Sequence, residues 1–339
     1  MPHVSLADLV DGAARVDLDP RGRVPTPLTL VELDDADWSL VDRVVRELAT
    51  SRHGVVVGVA TESVPDAAAP LMETLACTLA PEGPDRTCAG TTADLDEVVA
   101  TVAHAPLAAL ALVDLLGVTS RASVADGLVA ESLAYSMLLA GPEFAAWRAA
   151  TPSRDVPADA HPVLLERVGD VLRVTLNRPH RHNAFGHAVR DGLLEALDLV
   201  RLDASIDHVV LTGAGPSFSS GGDLDEFGTT PDVATAHVVR MTASAGLAVH
   251  GQRDRVRPVL HGSCIGAGIE VPAFAAHVVA REGTTFALPE VGFGLVPGAG
   301  GTVSVTRRIG RWRTAYLALT GRRLGLDEAL AWGLVDGRA

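Results

Sequence analysis

The chain has 339 residues, of which 47% are hydrophobic and 21% are charged, a size and composition that predict about two globular domains. Its formal net charge of −14 leaves no basic surface in bulk to neutralise phosphate groups, which argues against a nucleic-acid partner. The three cysteines form no CxxC pair, no secretory signal opens the chain and the apolar stretches are too short for a membrane span, so we expect a cytoplasmic protein without disulfides.

In the first half, predicted strands alternate with predicted helices. The segments "PLTLVELDD" and "HGVVVGVA" have the composition of strands, and "DWSLVDRVVRELATS" between them has the periodicity of a helix. The segment "LDEVVATVAHAPLAALALVDLLG" predicts a helix, a break at Pro106 and then a strand. This order predicts an α/β fold.

The first half ends in a segment with helical periodicity, "VADGLVAESLAYSMLLAGPEFAAWRAA", residues 124–150. Its apolar residues Leu128, Leu133, Met137 and Leu138 predict an amphipathic face. We therefore expect this helix to pack against another part of the protein.

A linker is predicted at "AATPSRDVPADAHP", residues 149–162, which is rich in proline, aspartate and alanine and has no periodicity. It divides the chain into residues 1–152 and residues 153–339. Because residues 1–152 lack the glycine clusters of residues 153–339, we expect them to form a non-catalytic α/β domain.

The second half also alternates between strands and helices. "VLLERVGDVLRVTLNRP" predicts two strands around a Gly-Asp turn, "HAVRDGLLEALDLVRLD" a helix, and "HVVLTG" a further strand. The helical segment "DVATAHVVRMTASAGLAVHGQ", the strand and turn "VRPVLHGSCIGAG" and the helix and strand "IEVPAFAAHVVA" follow. The similar order in the two halves is compatible with a degenerate internal repeat, and equally with two unrelated α/β halves.

Three glycine-rich segments of the second half, "FSSGGDLDEF", "HGSCIGAGIE" and "LPEVGFGLVPGAGGT", follow predicted strands and contain acidic residues. Glycine lets backbone N–H groups face a ligand, and two amides from different loops that meet at one oxygen form an oxyanion hole. Glu270 and Glu290 adjoin these turns, and paired carboxylates beside an oxyanion hole suit acid–base chemistry next to a carbonyl group. Taken singly, each glutamate is better explained as a helix or loop cap, and only their joint occurrence with the glycines favours catalysis.

These motifs carry a family resemblance. From about Val163 to Asp336, the second half resembles the enoyl-CoA hydratase/isomerase, or crotonase, superfamily through "LNRPHRHNAF", "IDHVVLTGAGPSFSSGGDLDEF", "VRPVLHGSCIGAGIE", "LPEVGFGLVPGAGGT" and "ALTGRRLGLDEALAWGLVD". The resemblance implies a crotonase-type spiral of ββα units for this half.

The resemblance also implies roles for four residues. The backbone amides of Gly222 and Ala267 would form the oxyanion hole, although the family usually has glycine at the second position. Glu270 and Glu290 match the two positions at which hydratases carry catalytic glutamates. Their joint presence favours hydration of an α,β-unsaturated thioester, with double-bond isomerisation, thioester hydrolysis and a non-catalytic assembly role as alternatives.

In the family, the loop "NRPHRHNAF" lies beside coenzyme A. The resemblance makes Arg178 and Arg181 candidates for phosphate contacts, because guanidinium pairs well with phosphate. It places the backbone of Asn183 and Ala184 against adenine, with two further residues nearby, Asp223 and Leu224. Coenzyme A enters as part of the substrate, no permanent cofactor is implied, and a carrier protein is the other carrier that we consider. We expect no metal site, because the two histidines of this loop have no acidic or cysteine partner in sequence.

The sequence departs from the family pattern in two respects. His261 replaces the usual asparagine before glycine, a change that bears on the substrate more than on the fold. Family members normally continue past "GLVD" with helices that cover the site and join subunits, and this sequence lacks them. We therefore expect residues 1–152 to supply the missing cover, either for their own second half or for that of a neighbouring subunit, with a tethered, independent domain as the alternative. The resemblance implies a homo-oligomer, with a trimer-based assembly as one arrangement.

Overall fold

The structure, a computed structural model, describes residues 3–25, 27–155 and 159–339. The first half has the strands β1 Leu28–Glu32, β2 Val55–Val59, β3 Cys77–Leu79 and β4 Cys88–Gly90. Its helices are α1 Leu6–Val10, α2 Val41–Thr50, α3 Ala69–Met72, α4 Leu95–His104, α5 Pro106–Thr119, α6 Val124–Leu139 and α7 Pro142–Ala150. The strands form one parallel sheet in the order β1-β2-β3-β4.

The second half has two sheets. Its strands are β5 Val163–Val168, β6 Val171–Leu176, β7 His208–Gly213, β8 Val256–Leu260, β9 Ser263–Ile265, β10 Val279–Ala280, β11 Thr285–Ala287, β12 Leu324–Gly325 and β13 Gly337–Arg338. Six strands form a sheet in the order β13-β10-β8-β7-β6-β5, in which only β5 and β6 are antiparallel, and the other three form a sheet in the order β12-β11-β9.

The helices of the second half lie between these strands in chain order. They are α8 His187–Leu202, α9 Val233–Thr242, α10 Ala245–Gly251, α11 Ala267–Glu270, α12 Gly301–Ile309, α13 Arg311–Thr320 and α14 Leu326–Trp332. The α/β class expected from the sequence is therefore correct, with parallel sheets in both halves. Among the described residues no single helix is both long and apolar enough to span a bilayer, although the bent pairs 92–119 and 124–150 reach that length and composition together.

The strand predicted after Pro106 is wrong, since these residues form α5. Pro106 occupies the start of the helix, where its missing N–H has no intrahelical role, and alanine and leucine dominate the rest. The apolar run belongs to a helix buried on most sides, and a short apolar run does not distinguish such a helix from a buried strand.

The helix α6 forms as expected but buries a different face from the predicted one. Leu133 and Met137 are 54% and 58% exposed, whereas Leu128 and Leu138 are buried. The buried face also carries polar side chains, namely Glu131, Ser132, Tyr135 and Ser136.

The degenerate internal repeat is not confirmed. The first half has four parallel strands, whereas the second half opens with the antiparallel hairpin of β5 and β6 around Gly169. The division at residues 152 and 153 stays a prediction, and residues 156–158 of the predicted linker lie outside the described residues.

One hydrophobic core runs through both halves, and it includes Leu112 and Leu116 of α5 together with Val303 of α12 and Leu317 of α13. Full burial of one such side chain contributes about 1.5–3 kcal/mol to the free energy of folding. The apolar contacts between the two halves therefore stabilise the fold. Polar contacts also join the halves, such as the bond from the Thr119 hydroxyl to the Thr302 carbonyl, 2.8 Å long. The expected packing of the first half against the second is therefore present.

Candidate active site

The segment from Ser219 to Gly222 lies directly against the turn between β9 and α11. The Ile265 amide donates to the Ser219 carbonyl over 3.1 Å, and Gly221 has a φ of +94°. A Cβ on Gly221 would lie 2.8 Å from the Ile265 carbonyl oxygen. Glycine is therefore required at position 221 both by its backbone conformation and by the close approach of the two chain segments.

The amides of Gly222 and Ala267 come from these two segments, and both residues line one cavity. Ala267 is the first residue of α11, where a helix leaves its N–H groups without intrahelical acceptors. Within the described part of the chain, neither amide has a protein acceptor. The helical backbone suits alanine as well as the glycine that the family usually carries there.

Glu270 ends α11 and is 2% exposed. Its Oε2 atom accepts from the amides of Ala299 and Gly301, each over 2.8 Å. Its Oε1 atom faces Gly266, where an added Cβ would lie 3.6 Å from it. One oxygen is thus fixed by the backbone, and the other is directed at the space beside Gly266.

Glu290 approaches the same space from the other side. It opens a 3-10 helix, Glu290–Phe293, and a Cβ on Gly266 would clash with its Oε1 atom. Gly266 has a φ of +49°, so glycine serves here both for conformation and for space. The Oε2 atom of Glu290 is buried and has no hydrogen-bond partner in the described structure.

A third carboxylate, that of Glu131 on α6, reaches the site from the first half. Its oxygens accept from the amides of Gly300, over 2.7 Å, and Thr302, over 3.0 Å, and from the Thr302 hydroxyl over 2.6 Å. Four successive amides, from Ala299 to Thr302, therefore donate alternately to Glu270 and to Glu131. Glu131 also lines the cavity.

Burial controls the ionisation of all three carboxyl groups. It raises the pKa of Glu270, against the two backbone hydrogen bonds, which lower it. Burial and the neighbouring charge of Glu270 raise the pKa of Glu131, and burial followed by the charges of Glu270 and Glu131 raises the pKa of Glu290. In the described structure the Oε2 atom of Glu290 has no hydrogen-bond donor, so burial favours the protonated form of this group.

Two cavities meet at this centre. The first, of about 400 Å³, contains all three glutamates and extends along α6 and α9 to Tyr135 and Arg240. The second, of about 380 Å³, opens beside His182 and Leu224. Both are lined by Gly222 and Glu290, so the centre lies where the cavities adjoin.

The predicted coenzyme A loop is held by ion pairs. Arg178 is 4% exposed and contacts Asp159 at 2.5 Å and Asp223 at 3.0 Å, while Arg181 contacts Asp223 at 2.8 Å and Asp225 at 2.5 Å. Phosphate contact by either arginine stays a prediction. The internal position of Arg178 favours a role in holding the loop, whereas the Arg181 side chain is 20% exposed.

The other four predicted binding residues surround these arginines. Asn183 is fully buried, has a φ of +53° and donates from its amide group to the Ala214 and Ser217 carbonyls, each over 2.9 Å. Ala184 is buried, and its carbonyl accepts from Arg178 over 3.1 Å. Asp223 is buried between the two arginines, and Leu224 is 38% exposed at the second cavity.

Sequence reasoning missed Glu131 and its neighbours on α6. The available signal was an acid, two hydroxyls and a phenol at positions 131, 132, 135 and 136, which share one face of an otherwise apolar helix. Buried polar side chains need partners, so such a face predicts a polar site across from it. Within the described residues, no group of three or more histidine, cysteine, aspartate or glutamate side chains is arranged to hold a metal ion.

Comparisons with known proteins cover the second half. A sequence model of the family described as enoyl-CoA hydratase/isomerase matches residues 166–337. The 2,3-dehydroadipyl-CoA hydratase of Escherichia coli is 33% identical over 174 residues, which are 51% of this chain and 68% of that protein. The trans-2-decenoyl-[acyl-carrier-protein] isomerase of Streptococcus mutans is 31% identical over 49% of this chain and 64% of its own length.

Among solved structures, an enoyl-CoA hydratase from Thermoplasma volcanium matches with 30% identity and a TM-score of 0.49. The match covers 53% of this chain and 72% of that one. The chain spans only 62% of the length of other curated relatives, such as the mevalonyl-coenzyme A hydratase of Beauveria bassiana.

Proposed function

Because the chain belongs to the enoyl-CoA hydratase/isomerase family, we propose that it adds water to, or removes it from, an α,β-unsaturated acyl thioester. One observation carries this proposal: free oxygens of Glu270 and Glu290 face one small space beside Gly266, at a cavity lined by the amides of Gly222 and Ala267. The same cavity therefore holds groups for charge stabilisation and for proton transfer.

The thioester oxygen would accept from the amides of Gly222 and Ala267. These donors are backbone groups fixed by the packing of two loops, so little reorganisation is needed when charge develops on the oxygen. These amides stabilise the thioester oxygen more strongly as the carbonyl becomes an enolate, which lowers the barrier to attack at C3.

The two glutamates would divide the proton transfers. Glu270, ionised and held by the amides of Ala299 and Gly301, takes a proton from water as its oxygen bonds to C3. Glu290, kept protonated by burial, gives its proton to C2. The proton on Glu270 then returns to Glu290 through the next water molecule, which restores both groups.

The thioester would span the two cavities, with the acyl group in the first and the carrier in the second. The second cavity adjoins the loop at His182 and Leu224, where the family resemblance places coenzyme A. The names of the relatives include both coenzyme A and acyl-carrier-protein substrates, so either carrier fits the proposal. No permanent cofactor is needed for these steps.

The test is turnover of a panel of enoyl-CoA and enoyl-carrier-protein thioesters by the full chain, followed as loss of the conjugated double bond. Glu270→Gln and Glu290→Gln each keep the side-chain shape but remove the acid–base function. We expect each variant to lower kcat by roughly 10²–10⁴-fold. Thioester affinity should change little, because the oxyanion donors are backbone amides.

The products decide between the related activities. A 3-hydroxyacyl product supports hydration, a shifted double bond would indicate isomerisation, and free thiol would indicate hydrolysis. Turnover that survives both substitutions would contradict the assigned roles, and the absence of both turnover and thioester binding would favour a non-catalytic assembly protein.

A further inference from the structure

The first cavity contains a positive charge that the proposed chemistry does not use. Arg240 lies near the end of α9 and is half-buried, and it lines this cavity together with Tyr135 and Ser132 of α6. Burial lowers the pKa of Arg240, but an arginine remains charged under all ordinary conditions.

The first half holds this guanidinium in one orientation. Its Nε atom donates to the Ser132 hydroxyl over 3.0 Å, and Nη2 donates to the Ser132 carbonyl over 3.1 Å and to the Ser136 hydroxyl. The Tyr135 ring lies below it, 4.8 Å from the guanidinium carbon. In the described structure Nη1 has no protein acceptor and is not enclosed, so it remains available to a ligand.

Arg240 differs from the other cations that line this cavity. Arg190 is paired with Asp191 at 2.7 Å, and His187 lies 2.9 Å from Glu226. Within the described residues no carboxylate forms an ion pair with Arg240: Glu131 raises its pKa only through longer-range attraction, and the Glu131 oxygens already accept from Gly300 and Thr302. Charged groups removed from water are normally paired, so this guanidinium lacks an anion that a ligand can supply.

We propose that the acyl group of the substrate ends in a carboxylate, which binds the Arg240 guanidinium in the first cavity. This inference rests on the proposed function for the placement of the acyl group. The cavity also contains Glu270, which is ionised in the proposed reaction, so an anionic acyl group needs such a cation to bind there. An uncharged acyl group would leave the half-buried Arg240 without an ion-pair partner.

Binding of saturated thioesters tests the inference apart from catalysis, because these ligands cannot be hydrated. The Kd values of succinyl-, adipyl- and suberyl-CoA are measured by calorimetric titration, each against the uncharged butanoyl-, hexanoyl- or octanoyl-CoA. We expect at least one dicarboxylic member to bind roughly 10- to 100-fold more tightly than its partner, as charge-assisted hydrogen bonds to a carboxylate predict.

Arg240→Met should abolish this preference and leave the affinity for the uncharged partner within about threefold, and Arg240→Lys should keep part of it. The unchanged affinity for the uncharged thioester also shows that the variant is folded. Ser132→Ala removes the hydroxyl that accepts from Nε and so loosens the orientation of the guanidinium, which should weaken the preference several-fold. Arg201→Met, an exposed arginine paired with Asp198 on α8, is the matched control and should change nothing.

Three results would overturn the inference. One is equal binding of both members at all three lengths by the wild-type protein. Another is an equal loss of affinity for both members in Arg240→Met, which would place Arg240 at the phosphates of coenzyme A. The third is a preference that survives Arg240→Met. A failed hydration assay with a clear dicarboxylate preference would instead contradict the proposed reaction and leave the binding inference standing.

Discussion

The two halves of the molecule contribute different chemical groups to the candidate active site. The second half contributes mainly backbone, with amides at Gly222 and Ala267 and a glycine at position 266 that makes room for two carboxylates. The first half contributes side chains from one helix, among them Glu131, which accepts from the same short segment that holds Glu270. The difference shows that a region without glycine turns or loop motifs can still line the candidate active site.

The strongest way to test this division is to separate the halves. A fragment of residues 155–339 would expose the core surface that α5 and α6 cover, and would leave the amides of Gly300 and Thr302 without Glu131. We expect it to aggregate or to lose all activity, with recovery when residues 1–152 are co-expressed. A soluble, fully active fragment would show that the first half is only tethered.

Glu131 allows the same comparison at one residue. Glu131→Ala removes the acceptor of two buried amides, and each unsatisfied group costs about 1–3 kcal/mol. Because these amides alternate with those that hold Glu270, we expect kcat to fall roughly 10- to 100-fold, with a smaller change in KM.

Glu143→Ala is the matched control for Glu131→Ala. Glu143 also accepts from two amides at the start of a helix, those of Leu107 and Ala108, but it does not line the cavity. We expect a lower Tm in both variants and a lower kcat only in Glu131→Ala. Equal kcat values in the two variants would mean that Glu131 acts on stability alone.

Two arginine side chains of the second half, Arg178 and Arg181, allow a test with a smaller expected effect, on coenzyme A binding and on stability. Arg181→Ala should weaken binding of coenzyme A by about fivefold, in a salt-dependent manner, because its guanidinium is partly exposed. Arg178→Ala should mainly lower Tm, since its buried guanidinium joins Asp159, Asp223 and the Ala184 carbonyl. If coenzyme A affinity depends neither on Arg181 nor on salt concentration, the predicted contact between this loop and coenzyme A is wrong.

A separate test at Glu131 is the pH dependence of stability. Burial raises the pKa of Glu131 in the folded protein, so the folded state binds its proton more tightly than the unfolded state. This contribution is complete below the unfolded pKa of about 4.3 and is lost as the pH rises through the folded pKa. Glu131→Gln lacks it, so the variant should gain stability relative to wild type as the pH rises, by about 1.4 kcal/mol per unit of pKa elevation. Parallel curves of Tm against pH would contradict this.

The α/β class and the placement of Glu270 and Glu290 were predictable from sequence because both depend on local signals. Strand and helix periodicities are local, and so is glycine followed by an acid at the end of a strand. The helix after Pro106 was not predictable in this way, since the burial of α5 on most sides gives it no periodicity. Glu131 was missed because its partners, Gly300 and Thr302, lie about 170 residues further along the chain.

The alternating amides from Ala299 to Thr302 also make the centre observable. An amide proton that is bonded to a buried carboxylate exchanges slowly with solvent and has a chemical shift that depends on the charge of its acceptor. Protonation of Glu270 would move the signals of residues 299 and 301, and protonation of Glu131 would move those of 300 and 302. The odd and even positions of one short segment therefore serve as separate spectroscopic reporters of which carboxyl group holds the proton.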